Sequence, residues 1–137
     1  MGWEQALRQR LLDDAAVAGL VGVHPDDGGK SIEWTVRRQG APLPAVLLQV
    51  ASDPRPQTHD GFDSIRTARV RVSVLAVTRH EVMVLREAVI VALAEAGDFG
   101  GVWFDRARIE LVFDASGPSE TGFIHRDSID FNIWHKG

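Results

Sequence analysis

The chain has 137 residues, a formal net charge of −4 at pH 7 and no cysteine, which fits one domain, 1–137, and excludes disulfides and thiolate metal sites. A charged content of 25% is ordinary for a globular protein, whereas a dedicated nucleic-acid module is more often basic. Neither an apolar run of roughly 18 residues nor a basic segment followed by an apolar core occurs, so we expect no membrane span and no signal peptide.

The N-terminal segment carries two helical patterns. Trp3, Leu7 and Leu11 recur every four residues, which predicts an amphipathic helix over 3–13. Asp14 is placed to cap a second, short helix that ends before Gly22.

Three strands are predicted next. Apolar and polar residues alternate over 32–36, which is typical of a strand with one dry face. A turn at 40–44 leads into the nearly continuous apolar run 45–51, which predicts an inner strand covered on both faces. The clearest alternation covers 67–76, with Arg69 and Arg71 on its polar side.

The C-terminal half is predicted to fold as a helix and two strands. Thr78 and Glu81 match a capping box, so a helix over 79–96 follows. Strands are predicted over 103–114 and 123–134, with a turn between them. In the first of these strands we expect one face to carry Ala107, Ile109, Leu111 and Phe113, and the other to carry Arg106, Arg108 and Glu110.

This order, α-β-β-β-α-β-β, belongs to the α+β class. We expect a two-layer sandwich in which a mixed or antiparallel sheet of about five strands carries two main helices on one face. The other face is then rich in arginine: Arg69, Arg71, Arg106, Arg108 and Arg126.

A long polar loop, 52–63, contains Arg55, Pro56, His59 and Asp60. His and Asp side chains can bind a metal or relay protons. Adjacent loop residues rarely point at one centre, so a turn capped by Asp60 explains the pair better. We therefore expect no catalytic residue, no metal and no cofactor. A small hydrolase or isomerase built on this pair is the competing enzyme hypothesis.

The arginines of the sheet face raise a nucleic-acid hypothesis. An open sheet that binds single strands stacks bases on aromatic residues. Here the polar face offers arginine, serine and acids, with Trp134 only at its end. Arginine interleaved with acids is more typical of a solvated or protein-facing surface. A small nucleic-acid-binding module is therefore the alternative function.

The second long helix is apolar on two sides. The stripe expected to pack on the sheet comprises Val82, Leu85, Val89, Ala92, Leu93 and Ala96. The opposite side carries Met83, Val84, Ile90 and Val91, where a surface helix normally turns charge to water. Either the N-terminal helix covers this second side, or it is a subunit interface, because exposed apolar patches usually mark protein contacts.

Several segments, taken in order, carry a resemblance to a known family. They are 11–22, 40–44 before an apolar strand, 59–61, the arginine-alternating strand from Ala68, and 121–122 with the closing strand to His135. In this order and spacing the chain resembles the phage tail-completion proteins. These proteins, also called tail terminators or tail-to-head joining proteins, belong to long-tailed phages and gene transfer agents.

The resemblance implies a structural virion protein without catalytic residues. Members form rings, commonly hexamers, that stop growth of the tail tube and meet the head connector. The implied partners are further copies of the chain, the tail-tube protein and the head-completion (stopper) protein; DNA only passes through, and no membrane is involved. The implied location is the head–tail interface of the virion, after assembly in the host cytoplasm.

A closed ring needs two unlike surfaces on each subunit. The outer side of the second long helix, the polar loop and the arginine-rich sheet face supply the candidates. The interface residues predicted from sequence are Met83, Val84, Ile90, Val91, Arg55, Pro56, His59, Asp60, Arg69, Arg71, Arg106 and Arg108.

Overall fold

The fold was obtained as a computed structural model, which describes residues 2–53, 66–119 and 122–136. The helices are α1 (Trp3–Asp13), α2 (Ala15–Leu20) and α3 (Arg79–Ala92). The strands are β1 (Ile32–Trp34), β2 (Ala45–Ser52), β3 (Arg66–Ala76), β4 (Gly97–Phe99), β5 (Val102–Phe104), β6 (Arg108–Asp114), β7 (Gly117–Ser119) and β8 (Gly122–Lys136).

The described strands form one mixed sheet with the order β1-β2-β3-β8-β5-β4. β1 and β2 are parallel, whereas the other paired strands are antiparallel. β8 is 15 residues long. Because of this length, β3 occupies one of its edges while β5, β6 and β7 pair with successive parts of the other.

The core lies between the helices and one face of this sheet. α3 packs against β3 and β8, and α1 packs against β1 and β4. The core cluster joins Leu7, Leu11 and Leu85 of the helices to Val72 and Phe131 of the sheet. The α+β class is therefore confirmed, with more strands than the five expected. Among the described helices, none has the length and apolar content needed to cross a membrane.

Both predicted helix caps are present. The Asp14 carboxylate accepts a hydrogen bond from the Val17 N–H at 3.0 Å, at the start of α2. Thr78 Oγ1 accepts from the Glu81 N–H at 3.2 Å, as the N-cap residue of a capping box does, and donates to the Glu81 carboxylate at 2.9 Å. α3 ends at Ala92, four residues earlier than predicted.

The predicted strand over 103–114 is wrong in two respects. It is divided into β5 and β6, because the Ala107 N–H between them turns to the Leu93 carbonyl of α3. A bulge at Glu110 then changes the faces, since Ile109 lies opposite Phe131 and Leu111 lies opposite Asp130. Ile109 is therefore on the helix side of the sheet, whereas Leu111 and Phe113 are on its open side.

The first two strands also differ from the prediction. β1 ends at Trp34, because Thr35 takes a positive φ of 67°. β2 is buried over 45–48, but 49–52 are partly buried or exposed, so the predicted cover on both faces holds only for its first half. β4, β7 and the split of β5 from β6 explain the higher strand number.

Candidate assembly surfaces

α3 has the two apolar sides expected from its sequence. Val82, Leu85, Val89 and Leu93 are fully or almost fully buried against the sheet. On the outer side, Met83 and Val84 are exposed, and Val91 is 70% exposed. Ile90 is partly buried and packs against the core. α1 and α2 contact α3 but leave the other three residues in solvent.

One flank of α3 is fixed to β8 through the buried carboxylate of Asp127. It accepts hydrogen bonds from Arg79 and from Arg86, the latter at 2.7 Å. Met83 and Ile90 continue the same stripe, since residues three and four apart are neighbours on a helix. β6 pairs with this part of β8, so the Met83 flank of α3 faces β6.

β6 is an apolar strand at an edge of the sheet. Its exposed fractions are 43% for Ile109, 48% for Leu111 and 43% for Val112. One side of the strand pairs with β8, and no other described strand pairs with its second side. A strand that is apolar on both faces is normally an inner strand. An exposed apolar edge is a site where another chain can pair. In the sequence, the apolar run Leu111-Val112-Phe113 is the feature that indicates this edge.

Arg71, on the open face, is engaged within the chain. Its guanidinium donates to both carboxylate oxygens of Asp130, at 2.8 and 3.1 Å, and lies 5.1 Å from the Phe113 ring centre. These hydrogen bonds hold the pKa of the Asp130 carboxyl below its usual value, against the opposing effect of burial. They also raise the pKa of Arg71.

The other predicted arginines are differently placed. Arg69 and Arg108 both lie opposite Asn132 of β8, one on each side. Arg106 was predicted to lie on a strand. It lies instead in the connection between β5 and β6. Within the described residues these three side chains make no hydrogen bond or ion pair. Asp105, Arg106, Arg108 and the exposed Trp134 line an open depression of about 420 Å³.

The predicted loop residues Arg55, Pro56, His59 and Asp60 lie outside the described residues. Over 2–53, 66–119 and 122–136, no three His, Asp or Glu side chains are grouped as metal ligands. The absence of a metal, a cofactor and a catalytic residue remains a prediction.

Comparison with known proteins identifies a family and a similar fold. The sequence matches the family described as tail completion protein gp17 over residues 5–136. A chain from a solved structure, the virion of a native gene transfer agent particle, has a similar fold, with a TM-score of 0.63 and 16% identity. The match covers 98% of this chain and 95% of that chain. Curated proteins give no match. The chain therefore belongs to the tail completion protein gp17 family and is a structural component of a virion tail.

Proposed function

We propose that the chain is a tail terminator, which closes into a homo-oligomeric ring, a hexamer, on the last ring of the tail tube. The observation that carries this proposal is the pair of unlike apolar surfaces on one small domain, the outer side of α3 and the edge strand β6. A ring closes through a contact between two different patches of the same subunit. Membership of the tail completion family supports the tail as the place of assembly.

The two ends of the proposed ring have different partners. One end contacts the tail-tube protein and stops tube growth, and the other receives the head-completion protein. The predicted loop 52–63, with Arg55, Pro56, His59 and Asp60, is proposed to take part in these contacts. Its prolines lower the entropy cost of ordering it at an interface. Phage DNA passes through the ring, and the proposed role uses neither catalysis nor a metal or cofactor.

Tube growth in vitro tests this role. Tail-tube protein from the same particle is polymerised with and without the purified chain, and tube lengths are measured by electron microscopy. We expect shorter tubes, with one ring of the chain at the tube end. A matched control is the variant Arg38→Gln, whose side chain lies in the connection between β1 and β2 and pairs with Asp27. Tubes of unchanged length with no bound chain would contradict the proposal.

A nucleic-acid-binding module is the second candidate function. The observation in its favour is that Arg69, Arg106 and Arg108 form no hydrogen bond or ion pair with an acidic side chain in the described chain, and that Arg106 and Arg108 line one depression with the exposed Trp134. The net charge of −4 argues against it. If the module hypothesis holds, replacing all three by Gln lowers DNA affinity and flattens its salt dependence. If the natural chain and the triple variant bind DNA equally weakly, only the structural role is left.

A further inference from the structure

We infer that neighbouring subunits join edge to edge, with β6 of one copy pairing with the end of β2 of the next. The sheet then continues from subunit to subunit around the assembly. This inference rests on the proposed ring and adds the contact that closes it.

The end of β2 is a second free edge. β1 pairs only with 46–48 of β2, so residues 49–52 have no strand on their outer side within the described chain. Val50 is 41% exposed at this edge, although it pairs with the buried Val70 of β3 on its inner side. The register of β2 shifts between Val50 and Ser52, so the regular part of this free edge is at Gln49 and Val50, whose unpaired N–H and C=O groups are a template for another strand.

The two free edges lie at the same level of the sheet. Reading across the registers, Val50 pairs with Val70, Val70 with Phe131, and Phe131 with Ile109. The next row joins Gln49 to Leu111 in the same way, through Arg71 and Asp130. A copy displaced sideways along these rows therefore brings its β2 end directly beside β6.

The strand directions also agree. β2, β3, β8 and β6 are antiparallel from one to the next, so β2 and β6 run in opposite directions. A second copy related by rotation about an axis along the strands places its β2 antiparallel to β6. The antiparallel order of the strands then continues across the joint, and the edge N–H and C=O groups form hydrogen bonds with the neighbouring copy.

The side chains at the joint are complementary. Ile109 and Val112 lie opposite Phe131 and Ile129, on the helix side of the sheet. Val50 is on the same side, opposite Val70. Pairing therefore places apolar side chains next to one another across the joint, where cross-strand pairs stabilise a sheet. The Met83 flank of α3, which faces β6, then lies above the joint and is shielded from water with it.

Disulfide trapping tests the contact directly, because the natural chain has no cysteine. The variant carries Val50→Cys together with Ile109→Cys, which lie in one row of the sheet, and is oxidised under native conditions. We expect a ladder of cross-linked subunits, since facing edge residues meet the distance that a disulfide requires. The matched control is Val50→Cys with Leu111→Cys. Its two side chains lie on opposite faces, and we expect no ladder.

The single cysteine variants distinguish the proposed contact from a symmetric one. If β6 pairs with β6 of a second copy, Ile109→Cys or Val112→Cys alone gives an efficient dimer and no ladder, which overturns the inference. A second variant, Val112→Lys, places a charge at the edge while changing an exposed residue. We expect its melting temperature to match the natural chain and its assembly to need about tenfold or more higher concentration.

The mass of the natural chain is measured separately under the same conditions. If the natural chain forms a ring, but the double cysteine variant gives no ladder and Val112→Lys assembles normally, edge pairing is overturned. The proposed function then still stands. A monomer that gives no ladder at any concentration contradicts both.

Discussion

At the scale of single residues, two buried carboxylates on β8 determine which arginines are available. Asp127 lies on the helix side and fixes α3 through Arg79 and Arg86. Asp130 lies on the open side and engages Arg71. A charge removed from water needs such partners. Arg71 therefore contributes to the subunit's own stability, whereas Arg69 acts on Asp130 through its charge and forms no hydrogen bond or ion pair among the described residues.

Asp130→Asn tests the role of the Arg71 pair through its pH dependence. The folded pKa of Asp130 is lowered, so its stabilising contribution is present above the usual Asp pKa of about 3.9 and is lost as pH falls through the folded value. We expect the variant to be less stable at pH 7 by about 1–2 kcal/mol, since Arg71 is partly solvent-screened. Urea unfolding at pH 7 and pH 3 measures this. A deficit of equal size at both values would show that the charge is irrelevant.

At the scale of elements, α3 has one side that stabilises the fold and another side that is proposed to contact a neighbouring subunit. Its inner stripe is in the core, while Val91 on the outer side is 70% exposed. Ile90, although predicted on the outer side, packs partly against the core. A substitution at Ile90 would therefore affect both the fold and any contact, so Val91 is the sharper probe of the outer side.

Val91→Glu is expected to weaken assembly and to spare the fold. Exposed substitutions usually change stability by less than about 0.5 kcal/mol, whereas a carboxylate placed in a dry interface loses its water. The matched control, Val89→Ala, is expected to cost about 2 kcal/mol of folding stability without changing the outer surface. Thermal melting of the dilute subunit and the concentration dependence of assembly separate the two effects. Strong destabilisation by Val91→Glu would argue that this side is not a free interface.

Deletion of residues 55–60 tests the predicted loop 52–63. Surface loops tolerate changes in length at small cost in free energy, so the shortened chain is expected to fold. We expect it to lose the ability to cap tail tubes, measured by tube length and by mass of the bound chain. If shortened and natural chains cap tubes equally well, the loop is only a connector.

Local patterns predicted much of the fold. Periodicity located α1, α3, β3 and β8, a continuous apolar run located β2, and the caps at Asp14 and Thr78 form as expected. The division of β5 from β6 and the bulge at Glu110 were not predictable, because they depend on distant partners on β8 and α3. Likewise, the pairing of Arg71 and the exposure of Val112 arise only when distant strands come together.

At the scale of the whole molecule, the described residues bury one face of their sheet and leave apolar surface at separate places. The outer side of α3, β6 and the end of β2 are unlike one another. A monomer gains nothing from exposing them, whereas a ring buries them repeatedly at identical contacts. Membership of the tail completion family supports the tail as the place of the proposed ring.

The mass of the purified natural chain, measured by native mass spectrometry over rising concentration, tests the ring most directly. Ring closure through unlike surfaces predicts one dominant species with six times the subunit mass and few intermediates, because only the closed form leaves no free interface. A chain that stays monomeric at every concentration, or that stops at a symmetric dimer, would contradict the account.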